Sequence, residues 1–282
     1  MWTLRINHIL KWLNKMNIHF TDKKIFEDLK SSSLINIDIG SSMYGTTDNS
    51  SDVDRLYIYI PSTEDDLSFT STHHQFQYKE DGIDHLFINI HDFIRNSLNG
   101  DSTINFEVIN TEALKDSDLS FIYDMRFSFH NYKIIRSYLG LCRRDIKFLN
   151  KGGTSERDKN KKLGHVLRGY KFAKHILDGE FSPTIDGYLL EKIIAIKSFD
   201  YEQRFNLTSV LTEKISVFRD KLNRILDDKS GDLSFYMDIK DQAKLDTHLK
   251  ELAETNIWKE KKKDSLGLLN LIYDVNENDI KY

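Results

Sequence analysis

Over roughly the first 125 positions, apolar residues come in short runs separated by turn chemistry. Leu34 to Ile39 (LINIDI) alternates apolar and polar side chains, which predicts a half-buried strand. The turn-rich GSSMYGTTDNSSD follows, and VDRLYIYIP from Val53 predicts a second strand. Residues 75–90, QFQYKEDGIDHLFINI, predict two strands joined at Glu80-Asp81-Gly82, because Asp-Gly favours a tight hairpin turn. Helices are expected around Lys23 to Lys30 and over His91 to Leu98. INFEVIN (Ile104 to Asn110) reads as a short strand or a buried segment.

From about Tyr132 the period changes to that of helices. They are predicted over Tyr132 to Leu149, Asp158 to Leu177, Gly187 to Ser198, Gln203 to Leu226, Asp238 to Glu254 and Leu266 to Val275. Breaks fall at Lys151-Gly152-Gly153, Phe181-Ser182-Pro183 and Lys229-Ser230-Gly231-Asp232. Near the start, Trp2, Ile6, Ile9, Leu10 and Leu13 recur at helical spacing, and packing on the domain is favoured over membrane-surface binding. The expected architecture is an α/β (α+β) N-terminal domain over 1–125 and an all-α C-terminal domain over 126–282.

Composition narrows this picture modestly. The 282 residues carry a net charge of -4, so no whole-protein field favours nucleic acid, though a local basic face is compatible with it. Aromatic residues at 12% exclude wholesale disorder. The lone Cys142 excludes an internal disulfide and a multi-cysteine metal site, and points to a reducing compartment. It lies beside Arg143 and Arg144 without a nucleophile's partners, and reads as a buried structural thiol. No apolar run is long enough for a membrane span, and no secretory signal is expected. His73, His74, His91 and His130 show no zinc-binding spacing, and Lys259 to Lys263 reads as a solvated charge run.

Chemistry concentrates between Ile37 and Leu56. A strand ends at Gly40, where the missing side chain lets backbone approach a ligand closely. Ser41 and Ser42 then offer hydroxyls and amide N–H groups suited to phosphate oxygens. Asp52 and Asp54 enter the next strand two apart, so both carboxylates point to one side while Val53 points to the core. Paired carboxylates favour a hard cation, Mg²⁺ or Mn²⁺, shared with substrate phosphates. A Gly-Ser turn followed by surface aspartates is the plain alternative.

This order resembles the polymerase β-type nucleotidyltransferase superfamily. More narrowly, GSSMYG followed by SDVDRLYIYIP resembles bacterial and phage nucleotidyltransferases that carry Gly-Ser-x-x-Tyr-Gly and then Ser-Asp-x-Asp. The strict match covers Gly40 to Pro61, and weaker similarity continues to about Gly179. The resemblance implies a small mixed sheet flanked by helices, an NTP substrate and metal-dependent nucleotidyl transfer. It also implies a third carboxylate on a neighbouring strand: Asp84 is the choice and Glu107 the rival. Glu107 and Tyr44 are otherwise expected to support the ligands from behind.

Lys161, His165 and Arg168 stand at i, i+4 and i+7 and so share one helical face, with Lys162 at its edge. Beside a phosphate site they would neutralise a triphosphate, and the family's helical domain begins with a similar segment; otherwise they form a solvated basic face. The reading is a cytoplasmic nucleotidyltransferase, in a bacterium or an infected host, whose acceptor is an RNA 3′ end, a protein hydroxyl or a small molecule. Its alternatives are a non-catalytic nucleotide-binding regulator, and an interaction protein of a toxin–antitoxin or phage–host pair.

Overall fold

The computed structural model describes residues 23–47, 51–60, 75–228 and 247, without positions 24, 25, 28, 180 and 186. The amphipathic segment near Trp2, the helix expected over Leu266 to Val275 and all but Thr247 of that over Asp238 to Glu254 lie outside the described residues.

A mixed four-stranded sheet forms the front of the molecule, in the order β1-β2-β4-β3. Strand β1 (Ser33–Ile39) runs antiparallel to β2 (Val53–Tyr59), β2 runs parallel to β4 (Ile83–Asn89), and β3 (Gln75–Glu80) closes an antiparallel hairpin with β4. Alternation in β1 works as expected: Ile37 and Ile39 are buried while Asn36 and Asp38 face solvent. Strand β2 is interior, so both of its faces are covered and Leu56, Tyr57, Ile58 and Tyr59 are all buried. Leu56, Ile58 and Ile88 join the large cluster beneath the helices. Tyr57, Tyr59 and Phe87 join a separate cluster on the opposite face, with Phe26 and Leu29 from a helical stretch ahead of β1. The β3–β4 turn sits where Asp81-Gly82 placed it, with φ of 50° and 78°, the pair of positive values that matches strand twist.

Helix α1 (Ser41–Tyr44) follows β1 directly, and α2 (Ile90–Asn99) follows β4 with the Asn89 side chain accepting from the Asp92 N–H. Residues 104–110, expected as a short strand or a buried segment, are not a strand but form a largely buried segment, most of it helix α3 (Thr103–Ile109) with Asn110 at its C-cap. Ser102 caps it by accepting from the Asn105 N–H, and every residue from Asn105 to Ile109 is buried. Five consecutive buried positions carry no period that separates helix from strand, and the cap decides it. Short helices α4 (Glu112–Lys115) and α5 (Ser120–Asp124) and a 3₁₀ turn lead into α6 (Tyr132–Leu149), α7 (Glu156–Asp178), α8 (Gly187–Ile196) and α9 (Tyr201–Asp228). Helices α6 and α7 pack along one another, and α7 also carries α8 and α9.

The main hydrophobic cluster runs from Ile37 in the sheet to Leu222 in α9. Polar ties reinforce it. The buried Asn160 side chain on α7 donates to the carbonyls of Lys197 and Phe199 and accepts from Arg204, which also pairs with Glu156. Lys197 in turn donates to the Thr46 carbonyl at 2.8 Å, joining the α8–α9 corner to the loop after α1. Among the described residues no helix is long and apolar enough to cross a membrane.

Gly100 closes α2 at φ +68°, and a Cβ there would stand 2.6–2.9 Å from the Lys133 and Ile134 backbone at the start of α6. Gly100→Ala is therefore expected to lower unfolding stability by about 2 kcal/mol or more, combining left-handed strain with a backbone clash that nothing flexible relieves. Urea unfolding measures it; a loss under about 0.5 kcal/mol, within the range of neutral surface changes, contradicts the packing.

Candidate active site

Strand register builds the site. Ile39 lies opposite Asp54 across β1 and β2, and Asp54 lies opposite Asp84 across β2 and β4, so the acids start adjacent parallel strands. Alternation places both on the helix-covered face, the one shared by Leu56, Ile58 and Ile88. Asp52 stands two positions earlier, just ahead of β2, and is exposed. Gly40 takes up φ +64° and ψ -135°, a backbone region reserved for glycine, where a Cβ would meet the Asp54 Oδ2 at 2.7 Å. The glycine thus lets the β1–α1 turn close onto the Asp54 carboxylate.

The electrostatics follow that crowding. Partial burial holds the Asp54 carboxyl above its ordinary range, and the charges of Asp84 and Asp52 push it the same way. Lys161 and Lys79 oppose the shift from two sides. Lys161 stands exposed on α7. Lys79 lies on β3 directly opposite Asp84, with its Nζ 3.4 Å from the Asp84 Oδ2. Lys79 escaped the sequence reading, yet the signal was present: a two-residue turn at Asp81-Gly82 pairs positions 80 with 83 and 79 with 84.

The basic face of α7 divides among three tasks. Lys161 is exposed and acts on Asp54 through its charge; His165 lies 3.7 Å from Asp145 of α6; the Arg168 guanidinium lies 3.7 Å above the ring centre of Tyr44. Burial holds the His165 imidazole below its ordinary range, against the pull of Asp145. Asp145 also gathers Arg144 and Lys162, which ties α6 to α7. Glu107 is brought to Tyr44 rather than to the acids of the sheet. It is 2% exposed and accepts hydrogen bonds from the hydroxyls of Tyr44 and, at 2.6 Å, Tyr138. Burial raises its carboxyl, while the Arg168 charge and the two hydroxyls work the other way. Ser41 and Ser42 are half-buried in the turn, with their carbonyls accepting from Thr46 and Gly45. Cys142 is buried, its thiol pushed up to about 12 and donating to the Val166 carbonyl, which suits a structural residue.

Among the described residues, no group of three or more His, Cys, Asp or Glu side chains is drawn together so as to hold a metal ion. The donors are nevertheless carboxylate oxygens, the chemistry a hard divalent cation takes. The repulsion that raises Asp54 is what such a cation would remove.

No family model matches the chain, and no curated protein matches it. Among solved structures, it is similar to the crystal structure of a nucleotidyltransferase-like protein from Exiguobacterium sibiricum 255-15 at 12% identity, with a TM-score of 0.28. That similarity covers 87% of this chain and 86% of the other.

A raised folded-state pKa means that the folded protein holds the Asp54 proton more tightly than the unfolded chain does. The stability this provides is complete below the ordinary carboxylate value of 3.8 and is lost as pH rises through the raised value. Asp54→Asn should therefore be more stable than wild type at neutral pH, with the difference vanishing in acid. Denaturant unfolding at pH 7 and near pH 3 reads this directly; a variant less stable at pH 7 would contradict the crowding.

Proposed function

We propose that the chain is a nucleotidyltransferase that moves a nucleoside monophosphate from an NTP to an acceptor hydroxyl, releasing pyrophosphate. One observation carries the reading: Asp54 and Asp84 start adjacent parallel strands, and the Gly40 turn closes directly on the Asp54 carboxylate. Asp52, Asp54 and Asp84 would hold Mg²⁺ or Mn²⁺, which when bound would neutralise phosphate charge and polarise the transferring group. Gly40, Ser41 and Ser42 receive the triphosphate, and Lys161 balances its charge from α7. The acceptor oxygen, activated near Asp84, attacks the α-phosphorus in line. The new oxygen–phosphorus bond forms as the bond to the β-phosphate oxygen breaks and pyrophosphate departs.

The finer assignments belong to the same proposal: a catalytic domain over 1–125, a helical domain over 126–282 that binds the acceptor or a partner, and a cytoplasmic setting. RNA is one candidate acceptor. One observation favours a second reading, that of a nucleotide-binding regulator: Lys79 already engages the third carboxylate.

Incubation with each labelled NTP and Mg²⁺, with total RNA or without added acceptor, tests the proposal. Label should transfer in the wild type. Asp52→Asn and Asp54→Asn should abolish transfer, and Asp84→Asn should lower it at least ~10²-fold, the usual weight of one electrostatic or acid–base contributor, with folding intact. Glu107→Gln should act mainly on stability or nucleotide affinity. Transfer retained in both Asp52→Asn and Asp54→Asn rejects the assignment, and nucleotide binding without transfer favours the regulator.

A further inference from the structure

The Glu107 carboxylate is a buried acid outside the sheet, held by two tyrosine hydroxyls. It joins three parts of the chain. Its Oε2 accepts from the Tyr44 hydroxyl on α1, and its Oε1 accepts from the Tyr138 hydroxyl on α6. Arg168 of α7 lies across the Tyr44 ring, near enough for its charge to oppose the burial that raises Glu107. Phe172 packs against both tyrosines, with its ring centre 6.2 Å from Tyr44 and 5.9 Å from Tyr138. Tyr44 is the last residue of α1, three positions after Ser41, and is 5% exposed.

A buried carboxylate with two hydroxyl donors and a guanidinium nearby is stable in one arrangement and expensive in others, because moving any member strands a polar group away from water. Helix α1 has only four residues, too few for its own hydrogen bonds to hold it in place. Its position is therefore set from outside, by the tyrosine at its end.

We propose that Glu107 and Tyr138 are positioning residues for the Gly40–Gly45 turn, acting through Tyr44, and that Arg168 belongs to this strut rather than to the nucleotide. Helices α3, α6 and α7 thereby fix the turn that approaches Asp54. This rests on the reading above only in giving the turn a triphosphate to hold.

Hydrogen–deuterium exchange tests the strut without any assumption about activity. The Gly45 and Thr46 N–H groups bond to the Ser42 and Ser41 carbonyls, so their exchange reports on the turn. Tyr138→Phe and the milder Tyr44→Phe should speed exchange over residues 40–46 by about tenfold, the factor carried by one charge-assisted hydrogen bond, with β2 and β4 still protected. Ile215→Val, a conservative core change on α9 of similar expected destabilisation, should leave that segment unchanged. Calorimetry supplies the readout that general loosening would not move: NTP affinity should fall about tenfold in Tyr138→Phe and hold in Ile215→Val. Glu107→Gln, which keeps an acceptor for Tyr138, should lose less than Glu107→Ala. Unchanged exchange over 40–46 in both tyrosine variants, or equal acceleration in Ile215→Val, overturns the strut. A wild type that gives the exchange pattern but binds no NTP supports the strut and rejects the nucleotide reading.

Discussion

Partial burial of the Asp54 carboxylate between two other acids is the constraint around which the front of the molecule is arranged. Strand pairing brings Asp84 beside it, the polypeptide just ahead of β2 brings the exposed Asp52, and partial burial of Asp54 weakens the screening of their repulsion. Two features make the arrangement tolerable. Gly40 leaves unfilled the space that any other residue would force into the carboxylate, and Lys79 and Lys161 supply positive charge from β3 and α7. A half-buried acid held beside two others costs stability, and it is this crowding that the proposed divalent cation would relieve.

The helices beneath the sheet do more than complete the core. The hydrophobic cluster passes from Ile37 to Leu222, and polar ties cross it at chosen points: Lys197 to the loop after α1, Asn160 to the α8–α9 corner, Glu107 to α1 and α6. Two of these ties, from Lys197 and Glu107, end on α1 or the loop that follows it. The site thus combines a pair of hydrogen-bonded strands with the short α1 turn that the helices brace.

Much of this was legible in the sequence where one physical rule dominated. The Asp-Gly hairpin, the alternating β1 and the long helices α6 and α7 follow from turn chemistry and periodicity, and the spacing of Asp52 and Asp54 pointed to the crowded end of the central strands. Burial over residues 105–109 was legible, but helix and strand were not separable there because consecutive buried positions carry no period, and the Ser102 cap outweighed the strand-like composition. Lys79 was missed because its importance is a matter of register, which no count of residue types displays. Arg168 shared a helical face with Lys161, but periodicity fixes only the direction of a side chain. The partners it meets there, the Tyr44 ring and the Glu107 charge, come from tertiary packing.

The central claim is that Asp54 and Asp84 act together on a divalent cation shared with a nucleotide. A crystal structure with Mn²⁺ and a non-hydrolysable NTP analogue, the ion located by its anomalous scattering, tests it most directly. The account predicts an ion with carboxylate oxygens of both Asp54 and Asp84 among its ligands, Lys79 displaced from Asp84, and the triphosphate lying along Gly40 and Ser41. Nucleotide bound elsewhere, or an ion more than ~6 Å from Asp84 and beyond the reach of one bridging water, would contradict it.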